Sequence, residues 1–311
     1  MQKLFTGLQP SGSLHIGNYF GALKPAVEMC KAYNGMLMIA DYHALTTLKD
    51  PRAMRENIMS VVKDYLAAGL DPTRTTIFKQ SDVPEHTELS WIFQCLVTTA
   101  FLELSHAYKD KVAKGLEANA GLFAYPILMA ADILLYDTDV VPVGEDQRQH
   151  LEYARETAAK FNNTFGQTFK EPKEMIIESV AVIPGTDGRK MSKSYNNIIP
   201  LFGSKDEIAK AVMSIVTDSK GKRPENVFAI HRAFKREEEI APLYERSKSN
   251  YKAIKEALIE DIEALIGPMR AKRDSISDDD ARRVLEGGGE RARKRASKKM
   301  LDVREKIGVT I

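Results

Sequence analysis

The chain of 311 residues contains only two cysteines, Cys30 and Cys95. Two are too few for a disulfide framework or for a Cys-rich zinc or iron–sulfur site, so we interpret both as reduced packing residues. A long apolar run is also lacking, because the most apolar stretch, Tyr125 to Tyr136, is too short to span a bilayer and contains Asp132. Residues 1–10 have no apolar signal-peptide core. We therefore expect a cytoplasmic protein without a membrane segment.

The sequence also lacks a large excess of charge of one sign. The chain has 45 Lys and Arg against 43 Asp and Glu, so its overall charge does not indicate a nucleic-acid partner and any basic surface must be local. A hydrophobic fraction of 43% with 28% charged residues is typical of a globular protein, and the length is sufficient for two domains. The sequence also offers no dedicated carboxylate cage for a metal, and we expect no structural metal.

The N-terminal stretch FTGLQPSGSLHIGNYFG, residues 5–21, predicts a strand, a loop and a helix. A helix that begins at the carboxyl end of a strand points free N–H groups and its positive dipole end at the crevice, where an anion can bind. The motif is neither GxGxxG nor a P-loop. His15 and Asn18 lie one helical turn apart around Gly17. They can face one ligand, or they can simply cap the helix.

A second short motif, KMSKS, occupies residues 190–194 after Gly185 and Gly188. Two ammonium groups on a loop of small residues can close over phosphates, although a solvated loop is the plain alternative. HIGN near the N-terminus together with KMSKS at the end of an α/β domain resembles the class I aminoacyl-tRNA synthetases.

Strands and helices alternate through the first 200 residues. After the first strand, further strands are predicted over 36–40, 75–79, 139–143 and 175–183, with helices over 18–33, 52–68 and about 145–161 between them. This order predicts an α/β, Rossmann-like, doubly wound parallel sheet in residues 1–200. His43 follows a strand at its carboxyl end and is a pocket candidate.

A helical insertion interrupts this alternation at about 85–136, with helices predicted over 87–104 and 121–136. Its apolar residues can form internal core, or they can form a surface that pairs two subunits. They are Phe93, Leu96, Val97, Phe101 and Leu102.

Residues 201–311 show no convincing strand and predict a separate all-α domain. Helices are expected over 205–215, 237–247, 251–266 and 278–306, with breaks at Gly221, Pro242, Gly267-Pro268 and the glycines 287–289. Residues 288–306 hold eight Lys and Arg against three acids. Such a stripe suits a phosphate backbone, but a solvated helix face is the common alternative.

The block Gly144-Glu145-Asp146-Gln147 opens a helix directly after a strand. Acidic residues there complement the helix dipole, which is a structural role. A carboxylate next to a glycine can also hold ribose hydroxyls, because the glycine lets the sugar approach. Beside HIGN we favour the second interpretation.

Three blocks narrow the resemblance. GLQPSGSLHIGNYFGAL, AYPILMAADILLYDTDVVPVGEDQRQHLE and KMSKS resemble the bacterial tryptophanyl-tRNA synthetases through most of residues 1–200, and the similarity weakens in the helical part. Tyrosyl-tRNA synthetases share the fold and both signatures, but their usual tyrosine and aspartate directed at a phenol are not found. His15 stands where many bacterial tryptophanyl enzymes have threonine, and Ala107 where many have glutamine; residues 104–106 also differ.

The resemblance implies roles for individual residues. For ATP it implies Gln9, Pro10, Ser11, Gly17, Asn18, Gly144, Glu145, Asp146, Ile183, Lys190, Met191, Ser192, Lys193 and Ser194. For tryptophan it implies Phe5, Gly7, His43, Tyr125, Met129, Asp132, Val141, Val143 and Gln147. The catalytic set would be His15, Asn18, Lys111, Lys190 and Lys193.

The implied activity is ligation of tryptophan to its tRNA through an adenylate formed from Mg-ATP, by a homodimer whose residues 201–311 bind the anticodon. A tyrosyl enzyme is the nearest alternative. A small-molecule nucleotidyltransferase would have no use for the helical domain with its basic stripe. A non-catalytic tRNA-binding paralogue could have lost signature residues, but here both signatures are intact.

Overall fold

Five parallel strands form one sheet. The computed structural model describes residues 1–105, 108–109, 113, 119–144, 148–176, 183–217, 223–247 and 250–310. In it the strands are β1 (Lys3–Leu8), β2 (Asn34–Ile39), β3 (Thr76–Lys79), β4 (Val140–Val143) and β5 (Lys173–Ile176). Their order is β3-β2-β1-β4-β5, with every neighbouring pair parallel. The predicted doubly wound α/β sheet is confirmed, and its switch point lies at β1.

Burial explains the composition of the central strands. Parallel strands covered by helices on both faces are continuously apolar, and Met36, Leu37, Met38 and Ile39 of β2 are each at most 2% exposed. The strand predicted over 175–183 begins earlier, in β5, and residues 177–182 lie outside the described residues.

Helices connect and flank the strands. They are α1 (Ile16–Asn18), continued by a π-helical turn (Tyr19–Leu23) into α2 (Lys24–Ala32), then α3 (Asp41–Ala44), α4 (Pro51–Ala67), α5 (Glu85–Gln94), α6 (Thr99–Leu102), α7 (Ala120–Leu134), α8 (Arg148–Phe165), α9 (Lys205–Met213), α10 (Glu225–His231), α11 (Glu237–Arg246), α12 (Tyr251–Ser275) and α13 (Asp278–Lys306). Short 3₁₀ turns cover Gln80–Asp82 and Lys193–Tyr195. Among the described residues, no helix has both the length and the apolar character needed to cross a membrane.

The helical insertion is more broken than predicted. A single helix over 87–104 is wrong, because α5 ends at Gln94 and α6 begins after Thr98. The Thr98 hydroxyl accepts a hydrogen bond from the Phe101 N–H at 3.3 Å, and this N-cap starts a new helix. Phe93 and Leu102 are buried and belong to the core, as one of the two interpretations held, whereas Leu96, Val97 and Phe101 are partly buried.

The C-terminal helices are present, but three predicted breaks are wrong. Helix α11 runs through Pro242, α12 runs through Gly267-Pro268, and α13 runs through the glycines at 287–289. Gly288 is explained by contact with the sheet: a Cβ on it would lie 1.6 Å from the Ile77 carbonyl oxygen of β3. Glycine lets the axis of α13 approach the strand backbone, as no other residue can.

Helix α13 therefore packs directly against the sheet. Four of its basic side chains bind oxygen atoms of this chain: Arg291 donates to the Pro72 carbonyl, Arg293 to Asp82, Lys299 to Thr168 and Arg304 to the Glu88 carboxylate. Neither interpretation of the basic run, a solvated face or a phosphate-binding stripe, describes these four. A domain boundary at residue 200 stays a prediction.

Candidate active site

An apolar cavity of about 270 Å³ opens at the carboxyl ends of β1, β2 and β4, on the side covered by α7. This is the switch point where doubly wound sheets bind ligands. Of the nine residues predicted for tryptophan, the structure brings eight together around this cavity; Gln147 lies outside the described residues. The eight are Phe5, Gly7, His43, Tyr125, Met129, Asp132, Val141 and Val143.

The cavity is flat on the side of β1. A Cβ on Gly7 would meet only Met38, with the nearest atom at 3.5 Å, so internal packing does not require glycine there. The missing side chain instead leaves room over the strand for a ligand. Cavity-lining residues that the motifs did not indicate are Thr6, Leu8, Met38, Ala40, Ile133, Pro142 and His150; Gln9, assigned to ATP, lies here too.

One carboxylate, Asp132, provides the buried charge of this cavity. It is 1% exposed. His43 Nε2 lies 2.8 Å from its Oδ2, and the Gln80 amide donates to Oδ1 at 2.9 Å and to Oδ2 at 3.0 Å. His86 Nδ1 lies 2.6 Å from Oδ1, an ion-pair distance, although its N–H is not aligned for a linear hydrogen bond. The partners of Asp132 are thus two imidazoles and an amide.

The partners keep the carboxylate ionised. Burial alone raises the pKa of Asp132, but the charge and close contact of His86 and the hydrogen bond to His43 outweigh it and lower that pKa to about 2. A carboxylate that stays charged in an apolar cavity is a strong acceptor for an N–H donor. Sequence reasoning missed Gln80 and His86, although Gln80 directly follows β3 at the ligand-binding edge.

A tyrosine and a histidine close another side of the cavity. The Tyr125 hydroxyl lies 2.6 Å from His150 Nε2, which joins α7 to α8. Burial raises the pKa of Tyr125, so its hydroxyl stays protonated. The sequence placed His150 in the resembling block without assigning it a role.

The HIGN residues do form a cap. His15 Nδ1 accepts from the Asn18 N–H at 3.2 Å, and Asn18 Oδ1 accepts from the His15 N–H at 3.1 Å, a reciprocal capping box. The cap uses one polar atom of each side chain, so His15 Nε2 and Asn18 Nδ2 have no partner among the described residues. Capping and ligand binding are therefore compatible, because the cap itself orients both groups.

The KMSKS loop lies against this cap. Lys193 Nζ donates to the Ser11 carbonyl at 2.7 Å, and Met191 is buried 3.6 Å from where a Cβ of Gly17 would lie. Backbone bonds from Ile16 N to Ile199 O (3.0 Å) and from Leu201 N to Leu14 O (2.9 Å) tie the two segments together. The structure thus brings both signatures together.

Burial and Lys193 both affect the protonation of His15. Burial, and secondly the charge of Lys193, lower the pKa of His15 from 6.5 to about 4. Burial lowers the pKa of Lys193 itself. At neutral pH the pair therefore consists of a neutral imidazole and an ammonium group. An ammonium poised at the N-terminus of α1 can bind phosphate oxygens.

Asn197 organises the KMSKS loop, and the sequence did not single it out. Its Oδ1 accepts from the Ser192 N–H at 2.8 Å, and its Nδ2 donates to Asp187 at 2.7 Å and to the Lys190 carbonyl at 3.2 Å. A Cβ on Gly185 would lie 2.3 Å from this amide, which explains the glycine. These contacts within the chain fix the shape of the loop.

The other residues predicted for ATP are partly described. Gln9, Pro10 and Ser11 lie on the loop after β1, and Gly144 follows β4. Ile183 is buried beside the KMSKS loop, where its carbonyl accepts from Met191 N at 3.4 Å. Lys190 and Ser194 are exposed and Ser192 is half-buried. Lys111, Glu145 and Asp146 lie outside the described residues, as do His106 and Ala107.

Comparison with known proteins gives the class. The family model described as "tRNA synthetases class I (W and Y)" matches residues 1–278, and the chain belongs to this family. Individual relatives are more specific, because they are named for the amino acid tryptophan. The chain is 45% identical to the tryptophan–tRNA ligase of Fusobacterium nucleatum, over 99% of this chain and 98% of that protein. It is 44% identical to the tryptophan–tRNA ligase of Rhodopirellula baltica, over 99% of both.

A solved structure agrees with these relatives. The tryptophanyl-tRNA synthetase of Campylobacter jejuni, complexed with ADP and tryptophan, superposes with a TM-score of 0.92 at 43% identity, and covers 99% of this chain and 100% of that one. The resemblance read from the three sequence blocks is thereby confirmed over the full length.

Proposed function

We infer that this protein is a tryptophan–tRNA ligase. The observation that carries the inference is one apolar cavity with a buried ionised carboxylate, at the sheet edge where the HIGN cap and the KMSKS loop meet. Relatives with this activity are 44 to 45% identical over nearly the whole chain. ATP and tryptophan are its small substrates, and tRNA is the acceptor.

The first step is an in-line displacement. A carboxylate oxygen of tryptophan attacks the α-phosphorus of Mg-ATP, the bond to the bridging oxygen breaks, and pyrophosphate leaves with its magnesium. No protein nucleophile is needed, because this chemistry depends on positioning and on stabilising charge. Lys190, Lys193 and Lys111 stabilise the departing pyrophosphate, while His15 and Asn18 bind phosphate oxygens from the α1 N-terminus.

The second step transfers the amino acid. The terminal ribose hydroxyl of the tRNA attacks the acyl carbonyl of the adenylate, and AMP leaves.

The nucleotide is bound by several segments. The loop of Gln9, Pro10 and Ser11 with Gly17 cradles the nucleotide, the block at 144–146 holds its ribose, and Ile183 and Met191 contact the adenine side. Ser192 and Ser194 complete the loop that closes over it.

Selection of tryptophan rests on Asp132. The carboxylate accepts the indole N–H, a charge-assisted bond worth about 1.5 to 3 kcal/mol. Tyrosine and phenylalanine cannot place a donor at this point, and a site that leaves a buried polar group unsatisfied discriminates strongly. The cavity walls of Phe5, Met129, Val141 and Val143 bind the ring, with His43 and Tyr125 at its edges. Gln147, outside the described residues, is assigned to the same site from the sequence alone.

Further features are proposed from the sequence expectations. The protein acts as a homodimer in the cytoplasm, Mg²⁺ enters with ATP, and residues 201–311 bind the anticodon of the tryptophan tRNA. Trp91 and Leu104 in the helical insertion are 68% and 52% exposed, which supports a subunit contact there. The domain division at residue 200 belongs to the same proposal.

ATP–pyrophosphate exchange measured with each of the twenty amino acids tests the function. We expect exchange with tryptophan alone. Exchange with tyrosine would make the protein a tyrosyl enzyme, exchange independent of amino acid would indicate a small-molecule nucleotidyltransferase, and no exchange would indicate a non-catalytic paralogue.

A further inference from the structure

Two residues that do not line the cavity hold its carboxylate. Gln80 and His86 are both fully buried, and neither forms part of the cavity wall. Together they make three of the four close contacts to the Asp132 oxygens; the fourth comes from His43, on the cavity side. Asp132 is thus held from behind by groups that a substrate does not meet.

Each of these two residues has its own fixed partner. The His86 Nε2 lies 2.8 Å from the Tyr136 hydroxyl, and the Tyr136 ring stacks on Phe5 with centroids 5.6 Å apart. The Gln80 Oε1 accepts from the His43 N–H at 3.3 Å, so its NH₂ group must face Asp132. The orientation of both donors is therefore determined by contacts outside the carboxylate.

Protonation follows from the same contacts. An ionised carboxylate can only accept hydrogen bonds, so the His86 Nδ1 beside it carries a proton. Burial raises the pKa of Tyr136, and its hydroxyl stays protonated. The arrangement Tyr136–His86–Asp132 resembles the hydrogen-bonded supports that orient functional side chains in other sites, where a group behind the functional residue sets its angle.

We propose that Gln80 and His86 are positioning residues that hold the Asp132 carboxylate at the angle at which it accepts the indole N–H. The proposal rests on the proposed function. It assigns tryptophan selectivity to a buried cluster of three side chains instead of to Asp132 alone.

The test compares tryptophan with an analogue that carries sulfur in place of the indole nitrogen. His86→Phe keeps a flat ring but removes the donor. We expect it to raise the KM for tryptophan roughly tenfold or more in pyrophosphate exchange, because Asp132 Oδ1 loses its buried ion-pair contact. The KM for ATP and for the sulfur analogue should change little, so the preference for tryptophan over the analogue falls.

A conservative variant at the same position tests whether the donor can be restored. In His86→Asn the amide nitrogen takes the place of Nδ1, so most of the preference should return although the Tyr136 contact is lost. Gln80→Met, which keeps the length and removes the donor, should repeat the loss, and it serves if His86→Phe does not fold. An unchanged preference in the folded His86→Phe or Gln80→Met protein would overturn the proposal.

The chain contains a matched control. His231 is likewise fully buried between a tyrosine hydroxyl and a carboxylate, Tyr244 at 3.2 Å and Asp261 at 2.8 Å, but on α10 away from the cavity. His231→Phe should lower stability without changing the preference, and an equal fall in this variant would show that His86 acts only through stability. Tryptophan-dependent exchange by the unaltered protein tests the proposed function separately from the positioning role. If the unaltered protein shows no such exchange, the proposed function is wrong. If it does show exchange but the variants keep their preference for tryptophan, only the positioning role is wrong.

Discussion

His15 shows how a single side chain serves the fold and the site together. Its Nδ1 caps α1, and Lys193 lies close enough for its charge to lower the His15 pKa. The sequence presented capping and ligand binding as alternatives. The structure shows that the cap uses only one of the two ring nitrogens, so the imidazole is fixed for a second partner.

The titration of His15 can be predicted with its sign. Its pKa falls from 6.5 to about 4, mainly by burial and secondly by Lys193. The unfolded chain therefore binds a proton that the folded one does not between pH 6.5 and 4. The contribution of His15 to stability is complete above pH 6.5 and is lost as the pH falls through that window.

NMR titration of the His15 Cε1 proton checks this. We expect a midpoint near 4, and a higher midpoint in Lys193→Ala that still stays below 6.5, because burial remains. A midpoint near 6.5 in the unaltered protein would contradict the burial of the ring.

Among the residues of this site, we expect substitution of Lys193 to have the largest kinetic effect. Lys193→Ala should slow adenylate formation by roughly a hundredfold, the scale of one preorganised charge contact in a transition state. Tryptophan affinity should barely change, because the ammonium lies at Ser11 and not in the cavity. Single-turnover kinetics and tryptophan binding measure the two quantities.

The exposed Lys210 on α9 provides the control, since Lys210→Ala should leave both quantities unchanged. Lost tryptophan binding in Lys193→Ala, with normal activation of bound substrate, would assign the lysine to the cavity instead.

At the scale of the element, α13 carries the clearest test of packing. The glycines at 287–289 look like a break, yet the helix continues because Gly288 meets the Ile77 carbonyl. Gly288→Ala should lower the free energy of unfolding by about 3 kcal/mol or more, since the added Cβ must push the helix off β3.

The adjacent Gly287 is a matched control. Its Cβ would have the flexible Arg291 side chain as nearest neighbour, at 3.6 Å. Gly287→Ala should be neutral or stabilise the protein by up to about 1 kcal/mol, from helix propensity. Urea unfolding followed by circular dichroism compares the two, and equal effects would mean that α13 does not lie against the strand.

At the scale of the whole molecule, the predicted homodimer depends on the helical insertion. Part of its apolar surface is internal core, but Trp91 remains 68% exposed on α5. Light scattering at micromolar concentration should give about twice the chain mass of 34.8 kDa. Trp91→Glu should shift the mass toward one chain, because a charge in an apolar contact is unfavourable. A monomer in the unaltered protein would remove the prediction.

Local patterns in the sequence determined the fold class, the sheet edge that binds ligands and both signature motifs, because periodicity, turn chemistry and short motifs are local properties of the chain. Eight residues of the cavity were predicted from the family resemblance that the motifs carry. The boundary errors at 95–98 and at the C-terminal glycines arose because a cap or a close contact overrode the pattern.

Only the tertiary structure decided which distant residues meet. Asp132 and Gln80 are 52 residues apart, and nothing local to either indicates their contact. Gly288 reads as a helix break until Ile77 lies beside it, and the basic residues of α13 read as a free stripe until they meet the oxygens of this chain. Packing between distant segments sets burial, and burial sets the partners and charge states on which the site depends.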